Sequence, residues 1–510
     1  MRPPLVEAML DPGFYPHRPK GVRLIETHIS WVFLTGPYAY KVKKPVNFGF
    51  LDFTTLKQRM HFAREEVRLN RRLSPDVYLG VLEIRRRDGE FSLQGPGEVV
   101  EVAVWMRELR EEWRLDLLLE SGRVGQDLWD LIAERIARFH GEAETSPHVA
   151  SFGEPEKVMV NVKENFDQTE PFRDMTIPRG WFVDLRDYSL GFLAERRDLF
   201  KKRIRSGRIR EGHGDLHTEN IYYDGERLYV LDCIEFNERF RFQDTASDVA
   251  FLLMDLEARG FEQGGWRFLN GYLQYSGDFE LLQVLRFYKI YRAYVRGKIE
   301  SFQMAQKGKA AQEKARRYFE LAWRYLVEER PRFLLASCGI MGSGKSTLCM
   351  ELASRLGAVL IRSDSVRKLS LGIPPWEHRY EPFGQGIYSP EVTDSVYRKM
   401  ISLAEEVLGA GYPVILDGSF SRASHRRMVS ELAQRLGIPY LFLYTQCPVE
   451  VIKERIGKRR DISDGRVEIL EEHIRSFETP KELPPERVLS VDTRGPLSVE
   501  VIREVKERVR

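Results

Sequence analysis

The chain has 510 residues, more than one hydrophobic core usually organises, so two or three domains are expected. An apolar share of 43% and a charged share of 30% describe an ordinary soluble, foldable protein. The 79 basic and 76 acidic residues nearly cancel, to a formal charge of +3, which gives no global case for nucleic-acid or membrane binding. Cys233, Cys338, Cys349 and Cys447 form no CxxC pair and no metal-ligand spacing, as expected of separate reduced thiols in a cytosolic protein. The first residues lack the apolar core of a signal peptide, and no apolar run approaches the ~20 residues of a membrane helix. A cytoplasmic location is expected.

Three zones follow in chain order. Residues 1–108 are strand-rich, with segments at 22–25, 31–34 and 38–42, the last two joined by a Gly36-Pro37 turn that suggests a hairpin. The spacing of Phe62, Val67, Leu69 and Leu73 predicts a helix over 56–73, followed by a strand pair at 77–84 and 99–105. Residues 109–330 read as mainly helical, interrupted by a loop-and-strand island at 213–232. That zone ends in an amphipathic helix carrying Tyr318, Phe319, Leu321, Trp323 and Leu326, which Pro331 breaks, placing a boundary at 328–332. Residues 331–510 alternate strands (333–337, 358–361, 413–416, 440–444) with helices (from 346, 391–408, 422–436, 448–457). Such alternation predicts an α/β domain with a parallel sheet.

Between the first strand and helix of that third zone lies Gly339-Ile340-Met341-Gly342-Ser343-Gly344-Lys345-Ser346, followed by Thr347. A P-loop wraps phosphates with successive backbone N–H groups and a helix N-terminus, and glycine serves where the backbone approaches closely. Lys345 is the residue to reach the β- and γ-phosphates of ATP, and Ser346 a ligand for Mg²⁺. Asp417 ends the apolar strand Val414-Ile415-Leu416 and is the second candidate for the Mg²⁺ shell. Asp364 is a candidate base for an acceptor hydroxyl, and Arg367 a holder of an anionic group. Arg455, Lys458, Arg459 and Arg460 form a basic cluster suited to a lid that neutralises transition-state charge. With these residues, 333–480 resembles the AAA-like P-loop kinases that include polynucleotide kinase, gluconate kinase and the zeta-toxin group. That resemblance implies phosphorylation of a hydroxyl, with Arg455 and Arg459 as the lid.

A second constellation lies in the island. His213-Gly214-Asp215-Leu216-His217-Thr218-Glu219-Asn220 carries an H-x-D-x-x-x-x-N pattern, and a short strand then leads to Asp232. In kinase-type catalysis such an Asp215 orients the acceptor hydroxyl and takes its proton, while Asn220 and Asp232 ligate Mg²⁺ on the ATP phosphates. Asp248 is read as a brace of the catalytic loop, and Glu235 as a weaker candidate for the metal. The loop resembles that of the aminoglycoside phosphotransferase and choline-kinase branch of the protein-kinase-like fold, over about residues 20–300.

The resemblance implies an α+β two-lobed domain whose N-lobe is 1–108 and whose helical C-lobe is 109–330. It also implies a nucleotide-holding lysine in the N-lobe. Ala39-Tyr40-Lys41 matches the A-x-K signature and makes Lys41 the candidate, with Lys43 on the same strand face as the alternative. The partner carboxylate is Glu66, with Glu65 as the alternative. No G-x-G-x-x-G precedes Lys41; Thr27-His28-Ile29-Ser30 stands in its place. The hinge against the adenine is placed at 102–106 by position.

The whole chain is similar to bacterial fusions of such a kinase-like domain with a P-loop ATP-binding domain. Two ATP·Mg²⁺ sites phosphorylating small-molecule hydroxyls is the leading expectation. The alternatives are that one module senses nucleotide to regulate the other, or that the P-loop domain is a nucleic-acid 5′-hydroxyl kinase. Balanced charge and the lack of a basic-aromatic track argue against a nucleic-acid partner. An aminoglycoside pocket would need acids, for which Glu164, Asp167, Asp255 and Glu257 are the available candidates.

Overall fold

The computed structural model describes residues 2–458 and 462–509. These pack as two compact units. The first comprises the residues up to Val124, Glu142–Arg173 and Arg186–Asp255; the second comprises Gly125–Gly141, Asp174–Leu185 and Leu256 onward. Among the described residues no helix is long and apolar enough to cross a membrane.

In the first unit, six antiparallel strands form one sheet. They are β1 (Arg23–Glu26), β2 (Ser30–Leu34), β3 (Tyr38–Lys43), β4 (Tyr78–Arg87), β5 (Glu90–Leu93) and β6 (Glu98–Arg107), in the order β1-β2-β3-β6-β4-β5. The expected hairpin is β2–β3, in which Leu34 pairs with Ala39. The expected strand pair is β4–β6, but β5 was not foreseen. Its signal is Asp88-Gly89, both at positive φ, which turn Arg87 onto Glu90 in a two-residue hairpin. An unforeseen helix, Pro4–Leu10, buries Val6 and Met9 against Phe33, Tyr40 and Val42. Because side chains alternate along a strand, Lys41 and Lys43 lie on the face of β3 opposite that cluster.

That opposite face is covered by the helix Leu56–Asn70. It begins at a capping box: Thr55 Oγ1 accepts from the Gln58 backbone N–H, and Gln58 Oε1 accepts from that of Thr55. It ends earlier than the periodicity suggested, because Leu73 N and Ser74 N fold back onto the Asn70 carbonyl. The rest of the unit is helical apart from two small ribbons, β7 (Ile209–Glu211) with β10 (Phe242–Asp244), and β8 (Ile221–Tyr223) with β9 (Leu228–Val230). The island at 213–232 is thus a loop set between short strands.

The second unit holds five parallel strands: β11 (Leu334–Cys338), β12 (Val359–Arg362), β13 (Val414–Asp417), β14 (Tyr440–Gln446) and β15 (Val488–Asp492), ordered β12-β13-β11-β14-β15. The last strand was not foreseen. Helix Lys345–Leu356 contributes Leu348, Cys349, Leu352 and Ala353 to the core beneath them.

The sequence placed a boundary at 328–332, yet the helices from 256 to 327 pack with the residues beyond it. The reason lies at the edge strand β12, whose outer backbone groups would otherwise be buried unpaired. Asn270, on helix Glu262–Ser276, donates to the Ala358 carbonyl at 3.0 Å and accepts from Leu360 N at 2.7 Å. Gln274, one turn on, donates to the Leu360 carbonyl at 2.6 Å. Both amides are buried, so a helix supplies the hydrogen bonds of a missing sixth strand. Replacing Asn270 with Ala is expected to cost about 1–3 kcal/mol for each backbone group left unpaired. A lowered urea midpoint, with faster proteolysis between 256 and 327, is the measurement.

Candidate functional sites

In the first unit, the helix Leu56–Asn70 presents Glu66 at zero exposure to β3. Its Oε1 lies 2.8 Å from Lys41 Nζ and its Oε2 2.6 Å from Lys43 Nζ. Lys41 also reaches Asp232 Oδ1 at 2.8 Å, and Lys43 pairs with Glu235. Glu65 instead points outward and pairs with Arg68. Burial alone would raise the Glu66 carboxyl, but Lys41 and Lys43 outweigh it and hold the group down at about 2. For Lys41, burial acts downward, and Asp232 and Glu66 overcome it to hold the ammonium well above the ordinary lysine range.

Three polar side chains of the 213–220 loop lie close together. Asn220 Nδ2 donates to the Asp215 carbonyl at 3.0 Å and to its Oδ2 at 3.1 Å, and His217 Nε2 lies 3.3 Å from the same oxygen. Asp248 is completely buried, and its carboxylate accepts from His213 N at 2.7 Å and Gly214 N at 2.9 Å. It braces the loop, as a carboxylate so occupied must. Gly214 has φ +86°, and a Cβ there would sit 2.7 Å from the Phe240 carbonyl, so only glycine fits. His213 is buried against the Leu231 carbonyl, and burial holds its imidazole below the usual histidine range.

Asp232 has φ +59°, a strained conformation for a residue with a side chain, and is half exposed. In place of a glycine-rich phosphate loop, Thr27 closes the β1–β2 turn, its Oγ1 accepting from Ser30 N at 2.9 Å. Positions 102–106 lie within β6, the strand that pairs with β3.

The acids considered for a polycation pocket are differently engaged. Asp255 is buried and accepts from Thr218 N and Oγ1, at 2.9 and 2.5 Å, so it is a second brace of the 213–220 loop. Glu257 pairs with the buried Lys289, and Glu164 with Arg239.

In the second unit, the P-loop joins β11 to the helix Lys345–Leu356. Gly342 and Gly344 have φ +74° and +85°. A Cβ on Gly342 would lie 2.8 Å from Ile452, and one on Gly344 3.1 Å from Thr493. Glycine at both positions is what lets the loop pack against Ile452 and Thr493. Gly339 and Ser343 stand behind the loop: Ser343 Oγ is 2.6 Å from Thr445 Oγ1, and its carbonyl accepts from Thr493 at 2.6 Å. A cavity of about 960 Å³ opens in front, lined by Gly342, Gly344, Lys345, Ser346, Thr347, Asp364, Arg367, Asp417 and Arg455. Every predicted second-site side chain described by the structure therefore faces one cavity, except Ser343. Arg459, with Arg460, lies outside the described residues.

Details within the cavity differ from the sequence reading. Arg367 is largely buried and donates through Nη1 to the Ile387 carbonyl at 2.8 Å, with its guanidinium over the Tyr388 ring. Arg455 donates to the Thr493 carbonyl at 2.5 Å, at the end of β15, so it is held at the loop's rim. Sequence reasoning missed Arg362, whose Nε donates to Asp417 Oδ2 at 3.1 Å; parallel pairing of β12 and β13 sets these two opposite each other. It also missed His473, which lines the cavity, and whose imidazole burial and nearby Lys345 push down to about 4. A lone histidine among acids gives no sequence signal.

Among the described residues no cluster of three or more His, Cys, Asp or Glu side chains could hold a metal alone. Asn220 and Asp232 in one unit, and Ser346 and Asp417 in the other, offer oxygen donors of the kind Mg²⁺ takes, with phosphate oxygens and water to complete its shell.

Residues 334–483 match a family described as AAA domain. An uncharacterized protein of Mycobacterium tuberculosis is 33% identical over 446 residues, 87% of this chain and 88% of its own length. An adenylyl-sulfate kinase of Myxococcus xanthus is 31% identical over 127 residues, 24% of this chain and 62% of that enzyme. Among solved structures, a choline kinase from Cryptosporidium parvum aligns with 63% of this chain and 94% of its own at 9% identity, TM-score 0.40. A gluconokinase from Sinorhizobium meliloti aligns with 36% and 93% at 23% identity, TM-score 0.25.

Acid should test the lysine-bridged carboxylate. Because the folded-state value of Glu66 lies near 2, below the ordinary 4.5, its stabilisation is complete above about pH 4.5 and lost as pH falls toward 2. Glu66→Gln is therefore expected to flatten the loss of stability across that window, read by urea denaturation at a series of pH values. At the other site, Gly342→Ala is expected to weaken ATP binding by about tenfold or more, since strain and the Ile452 clash both move the cradle. Titration calorimetry checks it.

Proposed function

This chain belongs to the same family as the uncharacterized mycobacterial protein, and we propose that its kinase-like and P-loop domains are two separate ATP-dependent phosphotransferase sites acting on hydroxyl groups. The observation that carries this reading is the meeting of Lys41, Glu66 and Asp232, from segments far apart in sequence, in the unit where Asn220 bonds Asp215. In the first site Lys41 steadies the ATP phosphates. Asp215 orients the acceptor hydroxyl and takes its proton as the phosphoryl group transfers. In the second, the P-loop backbone and Lys345 hold the nucleotide, Arg455 adds positive charge at the rim, and Asp364 receives the proton of a second acceptor. Magnesium held by Asn220 and Asp232, and by Ser346 with Asp417, would offset phosphate charge at each site.

Small hydroxylated molecules are the acceptors this reading favours. The 960 Å³ cavity suits a nucleotide with a small partner, and the balanced charge of the chain gives no track for nucleic acid. The test is ADP release against panels of hydroxylated metabolites, aminoglycosides and 5′-hydroxyl oligonucleotides. Asp215→Ala is expected to cut the first activity by about 10²–10⁴-fold. Lys345→Ala should cut the second by about 10²-fold or more and leave the first intact. Turnover undiminished in Asp215→Ala would refute the first assignment. Loss of regulation alone in Lys345→Ala would make the P-loop domain a sensor.

A further inference from the structure

The first site contains one more lysine and one more carboxylate than nucleotide binding requires. Lys43 is almost wholly buried, donates to Glu66 Oε2 at 2.6 Å, pairs with Glu235, and sits 4.9 Å above the centroid of the buried Phe53 ring. Glu235 is itself buried. Lys41, by contrast, faces Asp232, whose side chain is half exposed. Two lysines on one strand face thus look toward different surroundings, one toward the opening and one into the interior.

The segment that begins at Asp232 needs holding, because Asp232 has φ +59°. A residue with a side chain persists there only when its neighbours over-determine it. The neighbouring anchors are visible. Cys233 N donates to Asn70 Oδ1 at 2.9 Å, tying the segment to the helix that carries Glu66. Ile234 N donates to the His213 carbonyl at 3.0 Å, tying it to the catalytic loop. Arg241 Nη1 donates to the Ile234 and Glu235 carbonyls, and the Glu235 side chain closes the series on Lys43.

Resting on the reading of this site as an ATP phosphotransferase, we propose that Lys43 and Glu235 are positioning residues that fix Asp232 for magnesium, with Lys41 alone acting on the phosphates. Glu235, weighed from sequence as a metal contact, is thereby assigned to Lys43. Lys43, weighed as the nucleotide lysine, is assigned to Glu235 and Glu66. Groups that orient a ligand without touching the metal characteristically change its affinity by about 10–100-fold when removed.

The experiment measures ATP affinity by calorimetry, in excess magnesium and in EDTA, on the full chain carrying Lys345→Ala so that the P-loop does not report. Magnesium is expected to tighten ATP binding in this background. Adding Lys41→Met should weaken binding about tenfold or more in both media, because a direct phosphate contact is lost. Adding Lys43→Met with Glu235→Gln should leave affinity in EDTA within about threefold and abolish most of the magnesium enhancement. The paired change avoids leaving one buried charge alone. Should it fail to fold by near-UV circular dichroism, Glu235→Gln by itself carries the comparison, since Lys43 keeps Glu66. Loss of affinity in EDTA equal to that of Lys41→Met would overturn the proposal by making Lys43 a phosphate ligand. A full magnesium enhancement in the paired variant would overturn it by leaving Asp232 indifferent to the pair. Failure of the underlying reading looks different: the Lys345→Ala background then binds no ATP, or Lys41→Met changes nothing.

Discussion

The carboxylate of Glu66, removed entirely from water, is the constraint on which the first site is built. Burying an ion costs several kcal/mol even after relaxation, and the cost is recovered only through close, well-oriented opposite charge. Glu66 has that on both oxygens, from Lys41 and Lys43. Each lysine in turn needs a second carboxylate, which brings in Asp232 and Glu235. One helix, one strand and the segment after β9 are thereby held in a single geometry, with Asp215 and Asn220 beside them on a loop braced by Asp248 and Asp255.

The second site is built by other means. Its cradle is backbone, opened by Gly342 and Gly344 and backed by Ser343, Thr445 and Thr493, and it ends at a helix N-terminus. Asp417 lines the cavity from the end of β13, and Arg362, opposite it on β12, donates to its carboxylate. A parallel sheet brings those strand ends together whatever the loops between them do. The same sheet needs cover for its β12 edge, and Asn270 and Gln274 provide it.

These differences govern what could be read in advance. The P-loop and the H-x-D-x-x-x-x-N loop are contiguous, and their chemistry depends on local backbone shape, so both were legible. Periodicity placed Lys41 and Lys43 on one face but could not rank them, because a strand repeats every second residue. Glu65 and Glu66 are adjacent, and only the packed helix shows one turned inward to two lysines and the other outward to Arg68. In the sequence Asp255 is one of several acids available to a cation. It is a buried brace because Thr218 needs an acceptor there.

Sequence by itself determined the alternating α/β region after 331 and the two contiguous motifs, and it picked out Asp215, Asn220, Asp232, Lys345, Ser346 and Asp417 as the candidate groups. Tertiary structure decided which polar groups pair: Lys43 with Glu235, Arg362 with Asp417, and Asn270 with the backbone of β12. It also decided that the helices from 256 to 327 belong with the P-loop sheet. The reason is physical. A motif needs only its own backbone to hold its shape, whereas a buried charge or an unpaired strand edge is satisfied by whatever partner packing brings near, from anywhere in the chain.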